Sequence, residues 1–252
     1  MKNLVKQKIK KGETTVGSWL SLAHPSIAEI MAKSGFDWIV IDMEHTTITI
    51  SDMEPLIQVI EASGVVPLVR LSSNNPVLAK QVMDMGAYGI IVPMINTKEE
   101  AEMAVKSIKY PPVGTRGVGL YRAQEFGDTF DEYKDTINEQ SIVIVQIEHK
   151  DGVADIDNIV KVEGVDGVFI GPYDLSCSLG VSGQLDHPLV QEARDKVVAV
   201  AQKAGIAIGT HVVFPDTDEV KNRKEQGYNF IAYTTDAIML NDKFRADVKK
   251  IN

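Results

Sequence analysis

Polar side chains follow two of the short apolar runs in the sequence, and their chemical types suit a metal site. Gln146 and Glu148 stand two residues apart after the run 142–145, and Asp174 follows a later run. Because side chains alternate along a strand, Gln146 and Glu148 share a face, and a neighbouring strand would bring Asp174 to within about 4.8 Å. Two carboxylates this close repel unless a cation lies between them, and a few oxygen ligands with open positions suit Mg²⁺ or Mn²⁺. Spacing alone equally allows two unrelated acids in surface salt bridges.

Two further residues at the ends of apolar runs could act on a substrate. Arg70 ends the run 65–69, and its guanidinium would suit a carboxylate or an enolate oxygen, or else a structural ion pair with Asp42. His45 follows another run and could serve as a general base, because the reference pKa of histidine lies close to neutrality. Asp84 could orient that histidine. A single histidine in such a place is also compatible with no role at all.

Short runs rich in β-branched residues alternate along the chain with longer helical patterns. The predicted strands are 15–22, 37–43, 65–71, 89–95, 142–148, 166–171, 207–213 and 229–233. The predicted helices are 26–34, 52–63, 76–85, 97–109, 152–161, 188–204, 216–226 and 237–249. Eight β-then-α units favour a single closed (β/α)8 barrel domain over 1–252, with its active site at the carboxyl ends of the strands. The polar residues described above all fall at those ends, apart from Asp84.

A doubly wound open sheet is the competing arrangement. It would carry a glycine fingerprint for dinucleotides in the turn after the first strand, but that turn reads Ser-Leu-Ala-His-Pro at 21–25. The stretch 110–140 is predicted to be one long irregular loop, and long loops in compact domains are usually functional lids or disordered.

The composition limits the class of partner. The 252 residues carry 26 Lys and Arg against 35 Asp and Glu, and the net charge of −9 argues against nucleic acid or an anionic membrane. The apolar runs fall far short of the roughly 18 residues that a membrane span needs. The single cysteine, Cys177, fits a reducing compartment, so we expect a cytoplasmic protein. The lysine-rich segment 1–11 lacks the apolar stretch of an export signal, and we expect it to form a solvated basic helix.

Five motifs in one order along the chain resemble the HpcH/HpaI aldolase family, from about residue 15 to 240. They are Asp42-x-Glu44-His45, Arg70, Pro111-Pro112-x-Gly114-x-Arg116-Gly117-x-Gly119, Gln146-x-Glu148 and Gly171-Pro172-x-Asp174-Leu175-Ser176-x-Ser178-x-Gly180. The resemblance implies a TIM barrel of the phosphoenolpyruvate/pyruvate type. It also implies a homo-oligomer, commonly a homo-hexamer, in which the last helix, 237–249, is exchanged between neighbouring subunits.

The resemblance also implies a role for each matching position. Glu148 and Asp174 would ligate the divalent metal (Mg²⁺ or Mn²⁺, possibly Co²⁺), Arg70 would stabilise an enolate, and His45, tuned by Asp84, would act as base. The pyruvoyl carboxylate would be held by Gln146 and by the turn formed by Gly171, Pro172, Tyr173 and Asp174. Asp42 and Glu44 would support the site, and His211, at the end of a seventh strand that is more polar than the family pattern, would face the acceptor side.

The implied activity is that of a metal-dependent class II pyruvate aldolase. Such an enzyme reversibly cleaves a 4-hydroxy-2-oxo acid into pyruvate and an aldehyde through a metal-bound enolate. A Schiff-base aldolase would need a desolvated lysine on an inner strand, and the strand cores show none. Two alternatives stay open: an acyl-CoA thioester lyase of the citrate lyase type, and a non-catalytic barrel that binds a keto acid.

Overall fold

Eight parallel strands close into a barrel in which each strand pairs with the next along the chain and the last pairs with the first. The structure is a computed structural model that describes residues 2–251. The strands are β1 (Thr15–Leu20), β2 (Trp38–Asp42), β3 (Val66–Arg70), β4 (Gly89–Val92), β5 (Ile142–Ile147), β6 (Gly167–Ile170), β7 (Ala207–Val212) and β8 (Phe230–Thr235). The predicted closed barrel is therefore confirmed, with strand ends that differ from the prediction by a few residues. We call the end at which the carboxyl ends of the strands lie the mouth, and the opposite end the bottom.

Helices surround the barrel, and most of them return the chain from the mouth to the bottom between successive strands. They are α1 (Leu4–Lys10), α2 (Pro25–Ala32), α3 (Ile50–Ala62), α4 (Pro76–Asp84), α5 (Lys98–Ile108), α6 (Phe130–Gln140), α7 (Lys150–Ile159), α8 (Pro172–Ser178), α9 (Pro188–Ala204), α10 (Thr217–Glu225) and α11 (Asp236–Ile251). Among residues 2–251, none of them combines the length and the apolar character needed to cross a bilayer.

Reciprocal capping boxes begin two of the helices. Thr97 and Glu100 form one at the start of α5, which begins one residue after the predicted start at 97. Thr49 and Asp52 form the other in α3, which begins at Ile50, two residues before the predicted start at 52.

The core consists of two apolar layers, one inside the barrel and one between strands and helices. Inside, Trp38 stacks on Phe230 with ring centroids 4.2 Å apart, and Phe169 meets Phe230 edge-on. All five residues of β2 are buried, because one face of the strand points into the barrel and the other against helices. The barrel is thus a filled core that holds the strand ends rigidly.

Helix α1 closes the bottom of the barrel, which differs from the solvated helix predicted for the lysine-rich segment. Val5, Lys6 and Ile9 are buried. The Lys6 ammonium donates to the carbonyl of Ser141 at 2.9 Å and to the carboxylate of Asp166. Because every third or fourth residue of the segment faces the barrel, only part of its charge is solvated.

The insert between α5 and β5 leaves and rejoins the barrel at the bottom, and its last third is the helix α6 rather than irregular chain. Arg116, whose side chain is fully buried, donates to Asp84 at 2.6 Å and lies over the ring of Tyr110. A Cβ at Gly119 would come within 2.8 Å of the Asp84 carboxylate. The glycines and arginine of this motif therefore fasten the insert against α4. Sequence periodicity misses α6 because only Ile137 in that helix is buried.

Candidate active site

Four side chains from alternate strands form what we call the floor of the mouth: Trp19, Arg70, Gln146 and His211. They lie on β1, β3, β5 and β7, above the aromatic and aliphatic residues that fill the barrel. The Arg70 guanidinium lies 4.3 Å from the centre of the Trp19 ring, and the His211 ring lies 5.8 Å from it. Such a layer, with one side chain from every second strand, is the packing that a (β/α)8 barrel dictates.

Arg70 is held in one orientation by two carboxylates. Its Nε and Nη2 donate to the two oxygens of Asp42 at 2.8 and 2.7 Å, and its Nη1 lies 3.1 Å from Glu44. The ion pair with Asp42 that the sequence left open is therefore formed. A guanidinium has five N–H groups, so these three contacts leave two for a substrate.

Glu44 has an unusual environment for a carboxyl group. Burial raises its pKa to about 7, with Arg70 opposing the rise and the carboxylates of Glu148, Asp42 and Asp174 adding to it. Its buried Oε2 accepts no hydrogen bond within residues 2–251. His45, whose side chain is 61% exposed, stands 3.8 Å from that oxygen at the open side of the mouth.

Glu148 is 2% exposed and is fixed by hydrogen bonds on both oxygens. The backbone N–H of Met94 donates to Oε1 at 2.8 Å, and the Gln146 amide donates to Oε2. Burial raises the pKa of Glu148, and the nearby charge of Asp174 adds to the rise. A Cβ at Gly171 would lie 2.6 Å from Oε2, so only glycine allows the chain to pass this close to the carboxylate.

The turn after β6 is the start of helix α8 rather than an irregular turn. Gly171 precedes the helix, Pro172 occupies its first position, and Asp174 lies in the first turn. The Ser176 hydroxyl accepts from Gly183 at 2.8 Å and donates to the Tyr173 carbonyl at 2.6 Å, which fixes the segment that follows. Tyr173 and Asp174 are exposed and face the mouth beside Glu148.

The donor set fits a divalent cation bound through few protein ligands. Carboxylates of Asp42, Glu44, Glu148 and Asp174 act on one another in this space, and Arg70 is the positive group among them. Within residues 2–251, no group of three or more His, Cys, Asp and Glu side chains is arranged to hold a metal. Two carboxylates with the remaining positions left to water and substrate match the preference of Mg²⁺ and Mn²⁺ for oxygen ligands.

Three buried polar atoms of the floor have no hydrogen-bond partner in the described part of the chain. They are Trp19 Nε1, Gln146 Oε1 and His211 Nε2. Burial lowers the pKa of His211 to about 4, so its ring is neutral at physiological pH. Trp19 was not among the site residues expected from sequence. The signal that could have found it is its place at the end of a strand whose alternate residues face into the barrel.

The structure does not bring Asp84 to His45 within one chain. His45 follows β2 at the mouth, whereas Asp84 ends α4, which runs from the mouth to the bottom. There Asp84 pairs with Arg116. The expected orienting contact is therefore not formed within one chain. His45 lies at the mouth and Asp84 at the far end of a helix that runs down the height of the barrel.

Comparison with known proteins agrees with this geometry. A hydroxypyruvate/pyruvate aldolase of Roseobacter denitrificans is 38% identical over 240 residues, covering 94% of this chain and 93% of that protein. A 2-keto-3-deoxy-L-rhamnonate aldolase of Escherichia coli is 38% identical over 244 residues, covering 96% and 90%. The crystal structure of an HpcH/HpaI aldolase/citrate lyase family protein from Burkholderia cenocepacia superposes with a TM-score of 0.93 at 36% identity, covering 99% of each chain.

The family model described as HpcH/HpaI aldolase/citrate lyase matches residues 15–242, a span that begins with β1 and ends within α11. The chain belongs to the HpcH/HpaI aldolase/citrate lyase family.

Proposed function

We propose that this protein is a divalent-metal-dependent class II pyruvate aldolase, a carbon–carbon lyase that reversibly cleaves a 4-hydroxy-2-oxo acid to pyruvate and an aldehyde. The observation that carries the proposal is the buried Glu148, held by two hydrogen bonds beside Asp174 and facing Arg70 across the mouth. The names of the relatives support it, since both similar proteins described above are aldolases of 2-oxo acids.

Glu148 and Asp174 would hold the metal, which we take to be Mg²⁺ or Mn²⁺, with Co²⁺ as a substitute. When bound, the metal would polarise the 2-oxo group and stabilise negative charge that develops there. Gln146 keeps one amide oxygen without a partner and, with the first turn of α8 from Gly171 to Asp174, would line the place of the pyruvoyl group.

Arg70 would stabilise the enolate oxygen with its remaining N–H groups. Asp42 and Glu44 fix the guanidinium before the substrate arrives, so little reorganisation is needed as charge develops. His45 would take the proton of the C4 hydroxyl through a water, and its exposed position at the mouth suits a base that works on the open side. Asp84 takes no part in this arrangement within one chain.

A homo-hexamer in the cytoplasm, with α11 exchanged between subunits, is the assembly that we propose. Helix α11 buries only Asp236, and it exposes an apolar stripe. The stripe consists of Leu240, Phe244, Val248 and Ile251, spaced so that they lie on one face. A neighbouring barrel that covers this stripe would remove it from water. Phe244→Asp should then shift the molar mass measured by light scattering to that of a smaller species.

An acyl-CoA lyase is less well supported, because CoA phosphates need free positive charge. The cavity beside the mouth is lined by Arg194 and Arg223. Both are paired, with Asp195 at 3.3 Å and with Glu219 at 2.7 Å.

The aldolase proposal is tested by following pyruvate in D₂O without any aldehyde. If the site stabilises an enolate, the enzyme with Mg²⁺ or Mn²⁺ should exchange the methyl protons of pyruvate, and the methyl NMR signal should fade. EDTA should stop the exchange and added metal should restore it. No exchange by the folded, metal-supplied protein would favour a non-catalytic barrel, and a pyruvate adduct trapped by borohydride would reveal a lysine mechanism.

A further inference from the structure

Two neighbouring rings on the floor of the mouth carry a buried nitrogen without a partner. Trp19 Nε1 and His211 Nε2 accept or donate no hydrogen bond within residues 2–251, and their ring centroids are 5.8 Å apart. An unmatched buried polar group costs free energy, so it persists in a fold only where something else supplies the partner.

The two nitrogens have opposite hydrogen-bonding character. The imidazole of His211 hydrogen-bonds the backbone of Thr234 in a way that favours the charged ring, which means that a ring N–H donates to the carbonyl. Since Nε2 has no partner, the donor is Nδ1, and in the neutral ring Nε2 then presents a lone pair. The indole Nε1 of Trp19 is a donor only.

Neither ring is free to turn its nitrogen towards water. Trp19 is 3% exposed, with Phe169 edge-on against it at 5.5 Å and the Arg70 guanidinium over its face. His211 is anchored by its bond to Thr234, whose backbone is held in the left-handed region at φ 49°. The two rings are therefore held in place, with their centroids 5.8 Å apart.

Space for a ligand adjoins the His211 side of this pair. A cavity of about 370 Å³ is lined by His211, by Pro172 and Tyr173 at the start of α8, and by the exposed Phe214. Since α8 begins beside Glu148, the cavity continues the place where the pyruvoyl group would bind.

We infer that His211 and Trp19 recognise a hydroxyl group of the substrate and make this protein selective for hydroxylated over deoxy substrates. The inference rests on the proposed aldolase function. A hydroxyl can accept from the indole N–H and donate to the imidazole lone pair, whereas a carbonyl or carboxylate oxygen cannot donate and a methyl group can do neither.

The hydroxyl can come from either half of the reaction: from C3 of a hydroxylated donor, or from the carbon next to the aldehyde of the acceptor. Two pairs of small substrates separate these sources. With pyruvate as donor, glycolaldehyde is compared with acetaldehyde. With acetaldehyde as acceptor, hydroxypyruvate is compared with pyruvate. Each comparison gives a ratio of kcat/KM values for the hydroxylated over the deoxy substrate.

The decisive measurement is how this ratio changes between the wild-type protein and His211→Leu. We expect the ratio to fall about tenfold in one of the two comparisons, the effect of one lost hydrogen bond. His211→Gln, whose amide oxygen can accept, should keep most of the ratio, and Trp19→Phe should lower it as well. Thr136→Val, which changes an exposed residue of α6 that does not line this cavity, is the control and should leave both ratios unchanged.

An equal loss on both members of each pair in His211→Leu would overturn the inference, because it would mean that the ring only shapes the fold or binds a water. Unchanged ratios in His211→Leu would overturn it too. Absence of pyruvate exchange in D₂O and of turnover with every pair would instead overturn the aldolase function, and the hydroxyl subsite with it.

Discussion

The two ends of the barrel differ in how far their buried polar groups are paired within the chain. At the bottom, the buried Lys6 meets Asp166 and the Ser141 carbonyl, and Asp166 also accepts from the Val143 N–H at 2.9 Å. At the mouth, carboxylates crowd together, Glu148 and Glu44 have raised pKa values, and three floor atoms have no partner within the described residues. Around Lys6 the buried groups are satisfied by the chain itself, although Nε of Arg116 in the nearby insert has no partner within the described residues. At the mouth, three neighbouring floor atoms are left for a ligand to pair.

Left-handed backbone outside glycine occurs at the mouth and in the insert. Met94 and Thr234 adopt φ values of 54° and 49° next to the mouth, and Glu125 and Phe126 adopt 47° and 57° in the insert after α5. Met94 thereby aims its N–H at Glu148, and the Thr234 carbonyl accepts from Ser18 at 3.3 Å. Strain of this kind persists where the surrounding structure enforces it, and it is commonly found at functional sites. The comparison predicts that removing the Glu148 charge at the mouth lowers activity and raises stability, whereas removing the Lys6 charge at the bottom lowers stability and leaves activity unchanged.

The largest effect is expected for Glu148→Gln. Pyruvate exchange and aldol turnover should fall by about 10³-fold or more, because the variant loses a metal ligand. The amide still accepts from Met94, and it no longer carries a buried charge. In EDTA, where the metal cannot stabilise the wild-type protein, its melting temperature should therefore rise by about 2–4 °C, as expected for about 1 kcal/mol.

The matched control makes the same chemical change on the surface. Glu163→Gln replaces an exposed glutamate and should alter neither activity nor melting temperature. Glu148→Gln that melts lower than the wild type in EDTA would show that this carboxylate stabilises the fold, contrary to the comparison.

Lys6→Met is the corresponding test at the bottom. It leaves Asp166 largely buried, with side-chain exposure of 12%, and without its ion-pair partner. The free energy of unfolding from urea denaturation should fall by about 3 kcal/mol, while kcat/KM per folded protein stays unchanged. Lys109→Met is the control, because Lys109 donates to neutral acceptors on Ser141 and Asn138. Its loss therefore leaves no buried carboxylate without an ion-pair partner. Equal losses in both variants would contradict the pairing argument.

Arg70→Ala, a substitution at the mouth, should lower the rate of the reaction less than Glu148→Gln does. The variant removes a fixed donor that would stabilise charge in the transition state, so kcat should fall by about 10²-fold while KM changes less. Steady-state kinetics of pyruvate release separates the two constants. If kcat were unchanged and only KM rose, Arg70 would bind the ground state and not stabilise the enolate.

The sequence predicts the mouth better than the bottom, for a physical reason. Alternation along strands and the rule that strand ends converge place Arg70, Gln146 and Glu148 together without any knowledge of contacts. Whether a helix packs against a distant part of the chain depends on long-range contacts that no local pattern records. The packing of α1 across the bottom of the barrel depends on the contact between Lys6 and Asp166, which are 160 residues apart in sequence.

The same reason explains why the sequence does not show where Asp84 lies within one chain. Its expected role came from family resemblance, whereas its actual neighbour in one chain is set by how the insert after α5 folds back. The sequence does not identify Trp19, because a tryptophan at a strand end is typical of a hydrophobic core. That its N–H is buried without a partner depends on how the neighbouring rings pack around it.

The smallest effect concerns pH and Lys109. Burial lowers the pKa of Lys109 to about 8, and the nearby charge of Lys6 lowers it further, against the pull of Asp166. An unfolded lysine has a pKa of about 10.4, so between about pH 8 and pH 10 the unfolded chain binds more protons than the folded one. Stability from this group should therefore rise with pH across that window, by about 2 kcal/mol. Above it, the buried Tyr133, whose pKa is raised to about 12, acts in the opposite direction.

Urea unfolding of the wild type and of Lys109→Met at several pH values isolates the effect, since the wild type should gain stability relative to the variant only between those limits. Parallel curves would mean that Lys109 keeps its proton in the folded protein, and the bottom of the barrel would then hold two charged lysines against one carboxylate.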